Sequence, residues 1–257
     1  MKRLLIALTA FALVAGCGPS APDVAATAPQ ATAPAATATP AATAAPAAAA
    51  EPAAAAEPIL LAQATVDPIA AAGFVEGTHY RRLSPAQPVN SSPGQVEVAE
   101  FFMHSCIHCY NLEPYVQAWL PNKPDYINFV RVPTTWDAAR ILHAQAFYTA
   151  ESLGKLEEMH MPLFREMHER GNYLETVDKM RSFFGRFDVS AEDFDRTFNS
   201  FAVRTEVSKA DELGRRYRVD STPTIIVNGK YKTGNEAGTP ERLFELIELL
   251  AASERGR

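Results

Sequence analysis

The chain has 257 residues, with 24 Lys+Arg against 30 Asp+Glu and a formal net charge of −6. It carries only three cysteines, Cys17, Cys106 and Cys109. The acidic balance excludes the basic surface that a nucleic-acid binder needs. Three cysteines without a second Cys pair leave a four-ligand structural zinc site without its other half.

In chain order, Lys2 and Arg3 precede the apolar run "LLIALTAFALVAG". A basic start, a short apolar stretch and small residues before a cut read as a secretory signal over residues 1–16. The run is too short for a comfortable membrane span. "LVAGC", residues 13–17, resembles a bacterial lipobox. That resemblance implies cleavage before Cys17 and lipid attachment to it, so that Cys106 and Cys109 alone remain as thiols. Residues 18–64 are almost entirely Ala, Pro and Thr, with eight of the chain's 19 prolines. Such a segment has nothing large to bury, and residues 17–65 read as a tether. Its reach is about 40 Å as a flexible coil and up to about 145 Å as polyproline II.

A folded region of about 190 residues is expected from residue 66 onward, ample for one core. "GTHYRRLSP" offers a first strand. "GQVEVAEFFM" alternates and then turns wholly apolar, as a strand entering a core does. "CIHCYNLEPYVQAWL" reads as a helix with Leu112, Val116, Trp119 and Leu120 on one side. "YINFVRVP" is expected to be a second central strand. From about 137 to 215 the periodicity is helical. Met159, Leu163 and Met167 form one stripe, Phe194, Phe198 and Phe201 mark the buried side of another helix, and "SAED" resembles a capping box. "TPTIIVNGKY" gives two strands around Asn228-Gly229, a strong hairpin signal. Leu243, Leu246, Ile247 and Leu250 mark a last helix. The expected architecture is α/β, a sheet with a helical insert.

The cysteine pair sits where the second strand meets its helix. Three readings are open there: a metal site, a fixed disulfide, and electron exchange. His104 and His108 could join the two sulfurs on a metal, but His108 lies between them, and no second half-site exists. A two-residue loop closes little chain entropy, so a fixed disulfide would be a weak staple. A helix N-terminus offers free N–H groups and partial positive charge. A Cys106 thiolate gains from both, and His108 as a cation or donor adds to this. The disulfide of a stabilised thiolate is an oxidant. Elsewhere, Met159, Met161 and Met167 beside His160 and His168 could attract copper, although methionines at helical spacing more often fill a core. "RRYR" near 215 reads as a solvated face.

"EFF" before the pair, "C-x-H-C-Y" at it, Glu113 four residues on, the helical stretch and "STPT" followed by "IIVNGKY" together resemble the DsbA family of thioredoxin-like thiol:disulfide interchange proteins. The resemblance spans about residues 77–252. It implies a thioredoxin-like fold with an inserted helical domain, and a redox-active Cys106–Cys109 disulfide with no other cofactor and no metal. It makes Cys106 the exposed nucleophile, Cys109 its buried partner and His108 a thiolate stabiliser. It places Thr222 and Pro223 in a cis-proline loop that binds extended substrate, and Glu100 near Cys109 as a proton relay. The implied partners are exported proteins with thiols and a DsbB-like membrane quinone reductase. The implied setting is the periplasm of a Gram-negative bacterium, where the chain would work as a monomer on a lipid anchor. Typical members carry proline in place of Ile107 and valine in place of Thr222. Both differences bear on the direction of electron flow, so a reductase, an isomerase or a non-catalytic peptide binder stands beside the oxidase reading.

Overall fold

The computed structural model describes residues 67–256. The signal sequence, Cys17 and the Ala/Pro/Thr segment lie outside the described residues.

A short helix α1, Pro68–Ala71, leads into strand β1, Tyr80–Arg82. Then come β2, Val96–Phe102, helix α2, Ile107–Trp119, and β3, Ile127–Pro133. Five helices follow: α3, Ala138–Ser152; α4, Leu156–His168; α5, Val177–Gly185; α6, Ala191–Phe198; and α7, Phe201–Arg216. The chain closes with β4, Thr224–Val227, β5, Tyr231–Gly234, and α8, Pro240–Glu254.

The five strands run in the order β1-β5-β4-β2-β3. Only β2 and β3 are parallel, Val96 opposite Ile127 and Phe102 opposite Pro133. β2 lies inside the sheet and its residues alternate between faces. Val96 and Val98 enter a core built with Leu112, Val116, Leu246 and Ile247 of α2 and α8. Ala99 and Phe101 enter another with Phe147, Phe164 and Tyr217, against the inserted helices. β3 has a partner only in β2 and is therefore an edge strand, not the central one its apolar pattern suggested. α2 and the insert cover it, which explains why it is apolar without being central.

The insert has a core of its own, with Met159, Leu163, Met167, Met180, Phe184 and Phe194 nearly inaccessible. The methionine stripe is thus packing, whereas Phe201 is exposed rather than buried with Phe194 and Phe198, because α6 ends at Phe198 and a new helix starts at Phe201. Side-chain caps set most helix starts. Asp137, Thr176, Ser190, Ser200 and Thr239 each accept a backbone N–H three residues on, which satisfies a group the helix leaves open. "RRYR" is only partly a solvated face: Tyr217 is buried, edge-on to Phe101 at 5.8 Å.

The β4–β5 turn holds Asn228 at φ 50° and Gly229 at φ 63°, the positive values that a type I′ hairpin requires. At Gly229 an added Cβ would lie 2.1 Å from the Gln87 carbonyl oxygen. Gly229→Ala is therefore expected to cost more than about 1 kcal/mol, seen as a lower urea midpoint in both redox states.

Candidate active site

β2 delivers the chain to the site. Beyond Phe102, Met103 accepts the Cys106 N–H at 3.1 Å. Cys106 is the N-cap of α2, with extended backbone and its sulfur facing the open N–H groups of the first turn. The Cys109 N–H lies 3.5 Å from Cys106 Sγ. Thr222 and Pro223 approach from across the site on the loop between α7 and β4. Their peptide bond is cis, and as a thiol Cys106 donates to the Thr222 carbonyl at 3.4 Å. β5 ends in Gly234 because the Pro223 carbonyl crowds it: a Cβ there would sit 2.7 Å from that oxygen.

The two sulfurs are thiols in unlike settings. Cys106 is 9% exposed and Cys109 1%. The Cys109 thiol hydrogen-bonds the Cys106 sulfur, which burial would otherwise push up; the Thr222 hydroxyl and the backbone N–H groups of Cys109 and His108 add to it. Together they bring Cys106 down to about 5. Burial, then that same hydrogen bond and the Cys106 and Glu100 charges, drive the Cys109 thiol far upward. One sulfur is thus a thiolate at neutral pH and the other keeps its proton.

His108 contributes through its backbone N–H. Its side chain is exposed and lines a cleft of about 150 Å³ with Asn111, Leu112, Pro240 and Leu243. Ile107, the family's usual proline position, is exposed beside it. At Thr222 the other departure has a chemical consequence, since valine could donate nothing. Thr222→Val is expected to raise the Cys106 pKa by about one unit, read from the ultraviolet absorbance of the thiolate.

Glu100 is not a solvated strand residue: it is 2% exposed. Among the described residues the cation near it is Arg131, with Nε 3.8 Å from Oε2. Burial and the neighbouring Glu113 charge push it up to about 8, against the pull of Arg131. Glu113 holds Arg131 more tightly, Nη2 to Oε1 at 2.7 Å. Burial alone would raise Glu113, but His160, Arg131 and Gln117 outweigh it and hold it low. Arg131 escaped the sequence reading. The available signal was a lone arginine inside the apolar run "YINFVRVP", which a covered strand tolerates only when paired.

His104 turns from the sulfurs toward His160, with Nε2 3.2 Å from Nδ1. Among the described residues no cluster of three or more His, Cys, Asp or Glu is arranged to hold a metal.

Cys106 is thus nearly buried rather than exposed as expected; a low-pKa sulfur and a fully buried thiol at a helix N-terminus, facing a cis-proline, define a thioredoxin-fold thiol:disulfide oxidoreductase. Comparison with known proteins narrows the class. The chain belongs to the DsbA family of thiol:disulfide interchange proteins. It is 36% identical over 199 residues to the thiol:disulfide interchange protein DsbA of Pseudomonas aeruginosa, covering 76% of this chain and 94% of that one. A match that long must include Cys106 and Cys109. The Burkholderia cepacia DsbA is 37% identical over 174 residues, 68% of this chain and 80% of that one. A family profile described as a DSBA-like thioredoxin domain matches residues 126–247. The crystal structure of the Pseudomonas aeruginosa DsbA superposes with a TM-score of 0.68 at 36% identity, over 71% of this chain and 95% of that one.

Proposed function

We propose that the protein works as an oxidase, donating the Cys106–Cys109 disulfide to exported proteins through a mixed disulfide. The observation that carries this is the split between the sulfurs, Cys106 near 5 and Cys109 far above its ordinary value. A substrate thiolate attacks Cys106 Sγ, and the Cys106–Cys109 bond breaks. Cys109 leaves with the electron pair. Because its thiolate is so poorly stabilised, it needs a proton as it leaves, and buried Glu100 is the acid at hand. A second substrate thiolate then attacks the substrate sulfur of the mixed disulfide. Cys106 departs as a stable thiolate. The substrate gains a disulfide, the protein holds two electrons as the Cys106 thiolate and the Cys109 thiol, and Glu100 recovers its proton from solvent.

In this reading the backbone at Thr222 and Pro223 pairs with an extended substrate segment, and the exposed ring of His108 borders the cleft that receives partners. A DsbB-like membrane protein takes the electrons to quinone. The setting is the periplasm of a Gram-negative bacterium, with Cys17 carrying the lipid. The Thr222 hydroxyl supports the oxidase direction, since it strengthens the leaving thiolate.

Equilibration with glutathione tests the direction. A potential near −120 mV, that of strong oxidants in this family, is expected. One near −270 mV, as in thioredoxin, would leave the nucleophile in place and reverse the electron flow.

A further inference from the structure

Among the described residues, two buried acids, Glu100 and Glu113, share the cation Arg131. Something must decide which acid takes it. The guanidinium sits 2.7 Å from Glu113 and 3.8 Å from Glu100. Gln117 of α2 donates weakly to the oxygen that Arg131 holds, at 3.4 Å, and α4 supplies His160 to the other. Its Nε2 lies 3.4 Å from Glu113 Oε2, too poorly aligned for a made hydrogen bond and with no other hydrogen-bond partner among the described residues, so it acts on that carboxylate as a close polar contact; the arginine contact is at the other oxygen, Oε1.

The hydrogen positions follow from the partners. A nitrogen facing a carboxylate carries the proton, so His160 is the Nε2–H tautomer and its Nδ1 is bare. His104 then donates, Nε2–H to His160 Nδ1 at 3.2 Å. The His168 Nε2–H in turn donates to the His104 carbonyl at 2.9 Å and holds that loop. Phe102, Phe147 and Phe164 surround the two rings. Burial in this box, before any charge, keeps both histidines neutral.

We propose that His160 is a positioning residue for disulfide exchange: its Nε2–H, held in that tautomer by His104, commits Glu113 to Arg131 and leaves Glu100 as the proton carrier beside Cys109. The inference rests on the proton-donor role given to Glu100 above. The titratable groups packed around the seam are Glu100 and Arg131 from the sheet, Cys106, Cys109 and Glu113 at α2, His104 from the loop, His143 from α3, and Glu157 and His168 from α4. Without the His160 donor, Glu113 loses support as the anion. Arg131 then serves Glu100, and the like-charge repulsion that keeps Glu100 protonated weakens.

The test is a carboxyl-carbon NMR titration of the reduced full chain with isotope-labelled glutamate, the Glu100 signal assigned by Glu100→Gln. In His160→Phe, Glu100 is expected to titrate about one pH unit lower and Glu113 higher. His160→Gln keeps an N–H donor and is expected to stay near the wild type. An unchanged Glu100 titration in folded His160→Phe overturns the inference. If that variant does not fold, His104→Phe decides. It frees His160 to turn its bare nitrogen toward Glu113, so the same downward shift is expected and its absence overturns the inference. If the shift appears while Glu100→Gln exchanges disulfides at the wild-type rate, His160 still sets the partition, and only the relay role of Glu100 fails.

Discussion

Cys106→Ser is expected to reduce disulfide donation to background, while Cys109→Ser accumulates mixed disulfides. The two sulfurs are close in sequence and far apart in chemistry. Cys106, brought to about 5, is almost fully thiolate at pH 7. From the ordinary value of 9.0 it would be about one per cent thiolate. Without it the protein cannot hold a transferable disulfide. Cys109 is 1% exposed and holds its proton, so it meets only a sulfur already bonded to Cys106. Cys109→Ser therefore leaves a reactive thiolate that can join a substrate disulfide and cannot be released from it by Cys109. Non-reducing electrophoresis reads this directly, and alkylation of the reduced wild type should mark Cys106 before Cys109. Activity that survived Cys106→Ser would put the chemistry elsewhere. Peptide affinity that survived while exchange was lost would be the expected companion result, since Thr222 and Pro223 remain.

The elements were legible wherever local pattern decides. The alternation of β2, the Asn228-Gly229 turn, the Ser190 cap and the stripe of α8 all follow from spacing and turn chemistry. What was not legible depends on long-range pairing. β3 is as apolar as a central strand, yet it pairs only with β2, and four of its seven residues are half-buried. Tyr217, inside a run of arginines, is core because it meets Phe101, more than a hundred residues away in the chain. The site divided in the same way. Cys106, Cys109 and the proline loop were readable from motif and context. Glu100 could be suspected, but its burial could not be seen. The ties of Arg131, Glu113, His160 and His104 join four separate segments, so no window of sequence contains them. His108 stood in the motif; its backbone N–H supports the Cys106 thiolate, while its ring lies exposed on the neighbouring cleft.

The reduction potential is expected to fall by about 59 mV per pH unit below pH 5 and by about 30 mV per unit above it. The break follows from Cys106. Its value is depressed from 9.0 to about 5 in the reduced fold. The stabilisation of the reduced form is therefore complete above the ordinary value and lost as pH falls through 5. At pH 7 it amounts to about 3 kcal/mol, or roughly 60 mV for two electrons. Below the break both sulfurs take protons on reduction, and above it only Cys109 does. Glu100 adds a second feature. The Cys106 thiolate helps to raise it to about 8 in the reduced protein. Oxidation removes that charge, so Glu100 releases its proton at lower pH in the disulfide form. Reduction then takes up an additional proton between the two values, and the line steepens again toward 59 mV per unit as pH approaches 8. Glu100→Gln should straighten this upper segment and leave the break near 5. A slope of 59 mV per unit across the whole range in both proteins would mean that Cys106 is protonated throughout, and the case for disulfide donation would lose its physical basis.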